Sequence, residues 1–172
     1  MERIAIRYRI NGRWTVWMWA LCVVLWAACS KSSDTPEADR PYQLEPNLIL
    51  GRQLFMEAMG TRNSPLRFDI LGIRRMNDSL ELRVRGGGNA EAFQFIWDGR
   101  IQESHPMGIR LVLVYQGGDD FDSDRELTVS VNLRKIIGQR ENVELYHFYV
   151  INGSAIETVT LNPDGSVTEE VR

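Results

Sequence analysis

The chain has 172 residues, with 20 basic against 23 acidic side chains and a formal net charge of −3. An acidic chain without a basic patch does not have the make-up of a nucleic-acid binder. Its two cysteines, Cys22 and Cys29, leave everything after residue 29 without an internal disulfide.

The first 13 residues carry Arg3, Arg7, Arg9 and Arg13 against Glu2, and the run "WTVWMWALCVVLWAA" from Trp14 to Ala28 has no charge. As a helix this run would be about 22 Å long, whereas a bilayer core of roughly 30 Å needs about 20 residues. A basic start, a short apolar run and small residues at its end predict a signal helix over 1–28. Ala27, Ala28 and Cys29 resemble the end of a bacterial lipoprotein signal, in which the cysteine is lipidated and becomes the new N-terminus. Trp26 stands where that pattern usually has Leu, which leaves ordinary signal-peptidase cleavage and an uncleaved anchor as alternatives. Loss of 1–28 would leave 16 basic and 22 acidic residues, a net charge of −6.

"SKSSDTPEADRP" follows, polar and broken by Pro36 and Pro41, and predicts a flexible tether over 29–45 before a domain over 46–172. Its acidic residues Asp34, Glu37 and Asp39 resemble the export signals of surface lipoproteins in Bacteroidetes. The segment "NLILGRQLFMEAM" (47–59) has apolar residues at helical spacing around a central Gly51, so helix and strand are both open.

From Leu66 the pattern is β. "LRFDILGIRR" and "SLELRVR" flank Asn77-Asp78, and Leu80, Leu82 and Val84 alternate with charged residues. "AFQFIW" puts Phe93, Phe95 and Trp97 on one face and closes at the turn pair Asp98-Gly99. "GIRLVLVY" (108–115) and "LTVSVNL" (127–133) follow, the second with Leu127, Val129, Val131 and Leu133 on one face. "LRKIIGQ" suits one short helical turn stopped by Gly138. "VELYHFYVI" (143–151), "SAIETVTL" and "SVTEEV" complete the set, with turns at Asn152-Gly153 and Asn162–Gly165. Strands at this spacing predict an all-β, Ig-like antiparallel sandwich.

Strands 109–115 and 143–151 are apolar on both faces, which a sheet with one solvated face does not tolerate. Either 47–59 covers the second face, or Tyr146 and Phe148 form an exposed aromatic patch for a partner.

The run from Ser79 to Leu133 is similar to β-sandwich lipoproteins of Bacteroidetes, among them those called NigD-like. The likeness, over roughly 66–136, lies in a hairpin, a double glycine, an aromatic strand, Trp-Asp-Gly, a Leu-x-Leu strand and an Asp-containing loop. It implies a fold and a lipoprotein class, with no established chemistry.

Catalytic chemistry is hard to assemble. Ser104 and His105 are adjacent, and on a strand would face opposite ways; His147 lies between Leu145 and Tyr149 on an apolar face. The acidic loop 119–126 offers Asp120, Asp122 and Asp124 at alternating positions, a spacing able to meet calcium. The EF-hand pattern fails at Arg125 and Val131. The sequence therefore predicts a non-enzymatic, lipid-anchored protein of the cell envelope at the outer membrane, periplasmic or surface-exposed, needing no cofactor. It would bind an envelope protein or a glycan through Trp97, Phe121, Tyr146 and Phe148. The alternative is a metal-dependent envelope enzyme or accessory using the acidic loop.

Overall fold

The computed structural model describes residues 40–62, 64–139 and 142–171. Cys29, the expected signal helix and most of the expected tether lie outside the described residues. Tyr42–Glu45 form strand β1. The expected tether therefore ends before residue 45. Leu48–Leu50 form β2, antiparallel to β1, and the helix α1 spans Arg52–Gly60. Gly51 separates them as the extended N-cap, so the ambiguous segment 47–59 is strand and helix in turn.

The remaining strands are β3 (Asp69–Met76), β4 (Ser79–Gly87), β5 (Phe93–Gln102), β6 (Met107–Tyr115), β7 (Asp122–Asn132), β8 (Tyr146–Asn152), β9 (Glu157–Leu161) and β10 (Val167–Val171). The short helix α2, Arg134–Ile137, ends at Gly138 with φ 80, as its sequence predicts. Seven strands form one sheet in the order β1-β2-β5-β6-β8-β9-β10, and β3-β4-β7 form the other. The expected all-β sandwich is thus observed, but its large sheet is mixed. β2 runs parallel to β5, and β6 parallel to β8. Parallel neighbours require long crossovers. Here each crossover visits the opposite sheet, through β3 and β4 in one case and β7 in the other.

Alternation fills the space between the sheets. Leu80, Leu82 and Val84 of β4 pair with Val131, Val129 and Leu127 of β7 and face Phe93, Phe95 and Trp97 of β5 and Ile109, Leu111 and Leu113 of β6 across one core. Tyr146, Phe148 and Val150 of β8 belong to the same core, with Tyr146 2 % and Phe148 0 % exposed. The expectation of an exposed Tyr146–Phe148 patch is therefore corrected. Both faces of this strand are apolar in sequence, and the parity of Tyr146, Phe148 and Val150 is the one turned to the core between the sheets. The opposite parity carries His147 and Tyr149, whose polar tips tolerate water. That strand also starts later than its sequence suggests, because Val143–Leu145 form a 3-10 turn.

The second face of the large sheet is covered by α1. Phe55 and Ala58 pack on Ile96, Val112 and Ile151, with Leu54, Met59 and Val114 at the margin. A nine-residue helix covers only part of a seven-stranded sheet.

Asp98-Gly99 is not the expected hairpin turn. β5 runs through it to Gln102, with the register slipping between Trp97 and Ile101 and Gly99 at φ 79. This is a bulge, which uses the same glycine conformation as a turn without ending the strand. At Gly153 a Cβ would stand 2.6 Å from the Leu113 carbonyl oxygen and 2.8 Å from Val114 Cγ1. Gly153→Ala should cost about 2 kcal/mol or more, since backbone must move. Urea denaturation should show a lower midpoint with an unchanged slope.

Candidate functional site

The sheet face left open beside α1 forms a cleft of about 320 Å³. Its floor follows from strand register. Ile96 pairs with Val112, Val112 with Ile151, Ile151 with Thr158 and Thr158 with Glu170. Directly opposed residues share a face, so this row runs from the helix-covered apolar patch out to a polar edge. Two residues along, on the same face, Arg110 pairs with Tyr149 and Tyr149 with Thr160. Gly108 sits beside this row, where a Cβ would stand 3.0 Å from Tyr149 Cε2 and 2.7 Å from Gln102 Oε1, so the missing side chain gives both groups their room. The rings of Tyr149 and His147 lie 5.9 Å apart at 22°.

Four charged groups line the cleft. Arg62 is held at the end of α1, its Nε donating to the Met59 carbonyl at 3.1 Å and its Nη2 to Met59 Sδ at 2.9 Å. Arg110 lies over the Phe55 ring, 5.6 Å from the centroid. Glu157 Oε2 accepts from Asn152 Nδ2 at 2.8 Å, and Glu170 stands exposed on β10. Among the described residues no ion pair joins either arginine to either glutamate.

Behind Glu157 lies a buried polar knot. Asn152 Nδ2 also donates to the Phe68 carbonyl at 2.8 Å, while its Oδ1 accepts from Ser154 N and Oγ at 2.9 and 2.8 Å. Ser154 Oγ in turn accepts from Phe68 N at 3.0 Å. The knot ties the turn after β8 to the residue leading into β3.

The acidic loop packs against Gly88 and Asn89, at the end of the triple glycine. Tyr115 Oη donates to Asp120 Oδ1 at 3.2 Å and accepts from Gly88 N at 2.8 Å, and Asn89 Nδ2 donates to Asp120 Oδ2 at 3.3 Å. Asp122 Oδ1 accepts from Asp124 N at 3.0 Å, and its Oδ2 is 3.8 Å from Arg125 Nε. Arg125 also donates to the Gly88 carbonyl. A Cβ on Gly88 would fall inside the Asp120 carboxylate, so the glycine is what lets the loop close. Among the described residues no three His, Cys, Asp or Glu side chains converge as metal ligands. A hard cation gathers six to eight oxygens. Of Asp120, Asp122 and Asp124, two are engaged by donors of this chain.

Partial burial pushes the Tyr115 hydroxyl above its ordinary value, and the Asp120 carboxylate adds to the effect. A raised folded-state pKa gives stability that is complete below the unfolded value, near 10, and is lost as pH rises through the folded value. The loss of stability between pH 9 and 11 should therefore be smaller in Tyr115→Phe than in the wild type, as read by thermal unfolding across that range.

Comparison with protein-family models, curated proteins and solved structures found no match.

The aromatic residues expected to bind a partner are placed otherwise. Trp97 is 9 % exposed on the inner face of β5, its Nε1 donating to the Arg100 carbonyl at 3.1 Å. Phe121 packs edge-on against Tyr115, with centroids 5.4 Å apart. With Tyr146 and Phe148, these four serve packing and do not form one surface. The cleft residues Arg62, Gln102, Arg110, Tyr149, Thr158 and Glu170 were not singled out by sequence reasoning. They come from α1's end and five strands, and the only sequence signal was the double-faced apolarity of β6 and β8.

Proposed function

We propose that this protein is a lipid-anchored component of the cell envelope with a non-catalytic binding role, and that the cleft beside α1 is its binding surface. The N-terminal pattern ending at Cys29 supports the anchor, which with more than one acyl chain would hold the protein stably at the membrane. The similarity to NigD-like lipoproteins of Bacteroidetes supports the same address at the outer membrane, for a partner that is an envelope protein or a glycan. The observation that carries the binding reading is the cleft itself. It is a concave surface lined by both charged and apolar side chains, and a few polar groups in a cleft can orient a ligand there.

The non-catalytic reading rests on where the candidate reactive groups are engaged. His147 Nδ1 meets Asn162 Oδ1 at 2.9 Å, and Ser104 Oγ donates to the Pro106 carbonyl at 2.6 Å. A nucleophile needs an oriented base within hydrogen-bond reach, and neither group supplies one to the other.

The test is crosslinked capture from native envelopes, comparing the full chain with Cys29→Ala and Tyr149→Ala. A stoichiometric protein or glycan captured by the wild type and lost in both variants supports the proposal. Absence of acyl-chain incorporation at Cys29 would overturn the anchor, and capture unchanged by Tyr149→Ala would overturn the cleft.

A further inference from the structure

We infer that the cleft takes an acidic sugar, a saccharide unit bearing one carboxylate. The inference rests on the reading of the cleft as the binding surface and adds the chemistry of its ligand.

The two arginines carry the carboxylate part of the inference. The Arg110 guanidinium is placed by the Phe55 ring, and among the described residues it has no hydrogen bond or ion pair. Arg62 is pinned by Met59 through Nε and Nη2, leaving Nη1 without a partner among the described residues. Arg62 is thus held in position before any ligand arrives, and Arg110 rests against the Phe55 ring with its donors free among the described residues. A planar guanidinium fork matches a carboxylate in shape and charge, and a group already ordered loses little further freedom on binding.

The rest of the lining selects what carries that carboxylate. Gln102, Thr158, Glu157 and Glu170 place donors and acceptors around the cleft wall. A ring of hydroxyls, each both donor and acceptor, can use all of them, whereas an amino acid would engage only a cation and an anion site. Glu157 is already bonded to the buried Asn152, which fixes it as an acceptor and answers part of its charge. That makes it a better partner for a hydroxyl than for an ammonium. Tyr149, whose ring packs against Gly108, is half-buried in the lining that also holds the arginines, and its exposed part can meet the apolar face of a sugar. The two glutamates repel a polyanion, so the lining suits one negative charge and not a phosphate chain.

The experiment titrates the full chain in detergent with galacturonate and with its methyl ester by calorimetry. The acid should bind about tenfold or more tightly than the ester, as expected for charge-assisted bonds. Arg110→Gln should lose that margin while unfolding at the wild-type temperature. Arg83→Gln, on the outer face of the three-stranded sheet, should keep it. Equal binding of acid and ester, both weakened by Tyr149→Ala, would overturn the carboxylate while leaving the cleft as a saccharide site. Binding of the dipeptide Ala-Ala with neither saccharide bound would overturn the sugar and leave the cleft a peptide site. No heat with any of the three would overturn the inference, and the capture experiment would then decide separately whether the cleft binds anything.

Discussion

Replacing Phe148 by alanine should lower the stability of the folded domain by about 3–5 kcal/mol, the range for deleting a fully buried aromatic ring. Phe148 is 0 % exposed at the centre of β8. Ile109 opposes it on one neighbouring strand and Leu161 on the other, and Tyr146 lies two residues away with ring centroids 6.3 Å apart. Every one of these neighbours belongs to the core between the sheets. A cavity there is walled by two sheets that cannot easily collapse onto it. Chemical denaturation should show a large drop in midpoint. A stable variant that loses a partner would restore the reading of this strand as a binding patch. The contrasting change is Tyr149→Ala one residue on, which removes a half-exposed side chain on the opposite face. It should leave stability within about 1 kcal/mol of wild type.

Asn152→Ala should cost on the order of 3–4 kcal/mol, more than its small volume suggests. The lost carboxamide matters less than the groups left behind. Ser154 N would lose its acceptor and Glu157 a donor, in a place where Asn152 is 0 % and Ser154 5 % exposed. A buried polar group deprived of its partner costs about 1–3 kcal/mol, and a bond to a charged group is worth about 1.5–3 kcal/mol. Hydrogen exchange should show the damage at the turn after β8 and at Phe68 N, which Ser154 Oγ holds. The variant should also free Glu157 and so weaken any ligand of the cleft. Exchange that stays slow at Phe68 would mean that the knot is dispensable.

The remaining ion pairs deserve little weight in stability. Arg74–Glu81, Arg85–Asp69 and Arg83–Glu126 form a ladder across the outer face of the three-stranded sheet, at 2.7, 2.9 and 3.9 Å. They are solvent-exposed, and such pairs contribute about 0–1 kcal/mol each.

Much of this fold was legible in the amino-acid order. Leu80, Leu82 and Val84 alternate with charges, Phe93, Phe95 and Trp97 share one face, and Val129 and Val131 share another. All point inward as the period of two requires, because successive side chains of a strand must leave opposite sides. Gly138 stops α2, and Asn162–Gly165 turns between β9 and β10, with Gly165 at φ 83. Such features depend only on a residue and its immediate neighbours. Sequence alone thus determined the class of fold, most strand positions, and the need for a cover over a second apolar face.

Only the tertiary structure decided which face of β8 is the core, since both of its parities are apolar and nothing local separates them. The same holds for Asp98-Gly99, where the conformation of a turn serves a bulge because β6 continues to pair beyond it. It holds as well for the parallel pairs β2–β5 and β6–β8, which join segments far apart in the chain. The acidic loop carries enough carboxylates for a cation in one dimension. In three dimensions Tyr115, Asn89 and Arg125 answer two of them. The cleft is the extreme case: Arg62 and Glu170 are 108 positions apart and line one cleft only because β9 and β10 add to the sheet on which α1 lies. Periodicity states which face a side chain takes, and strand order and register alone state what it meets there.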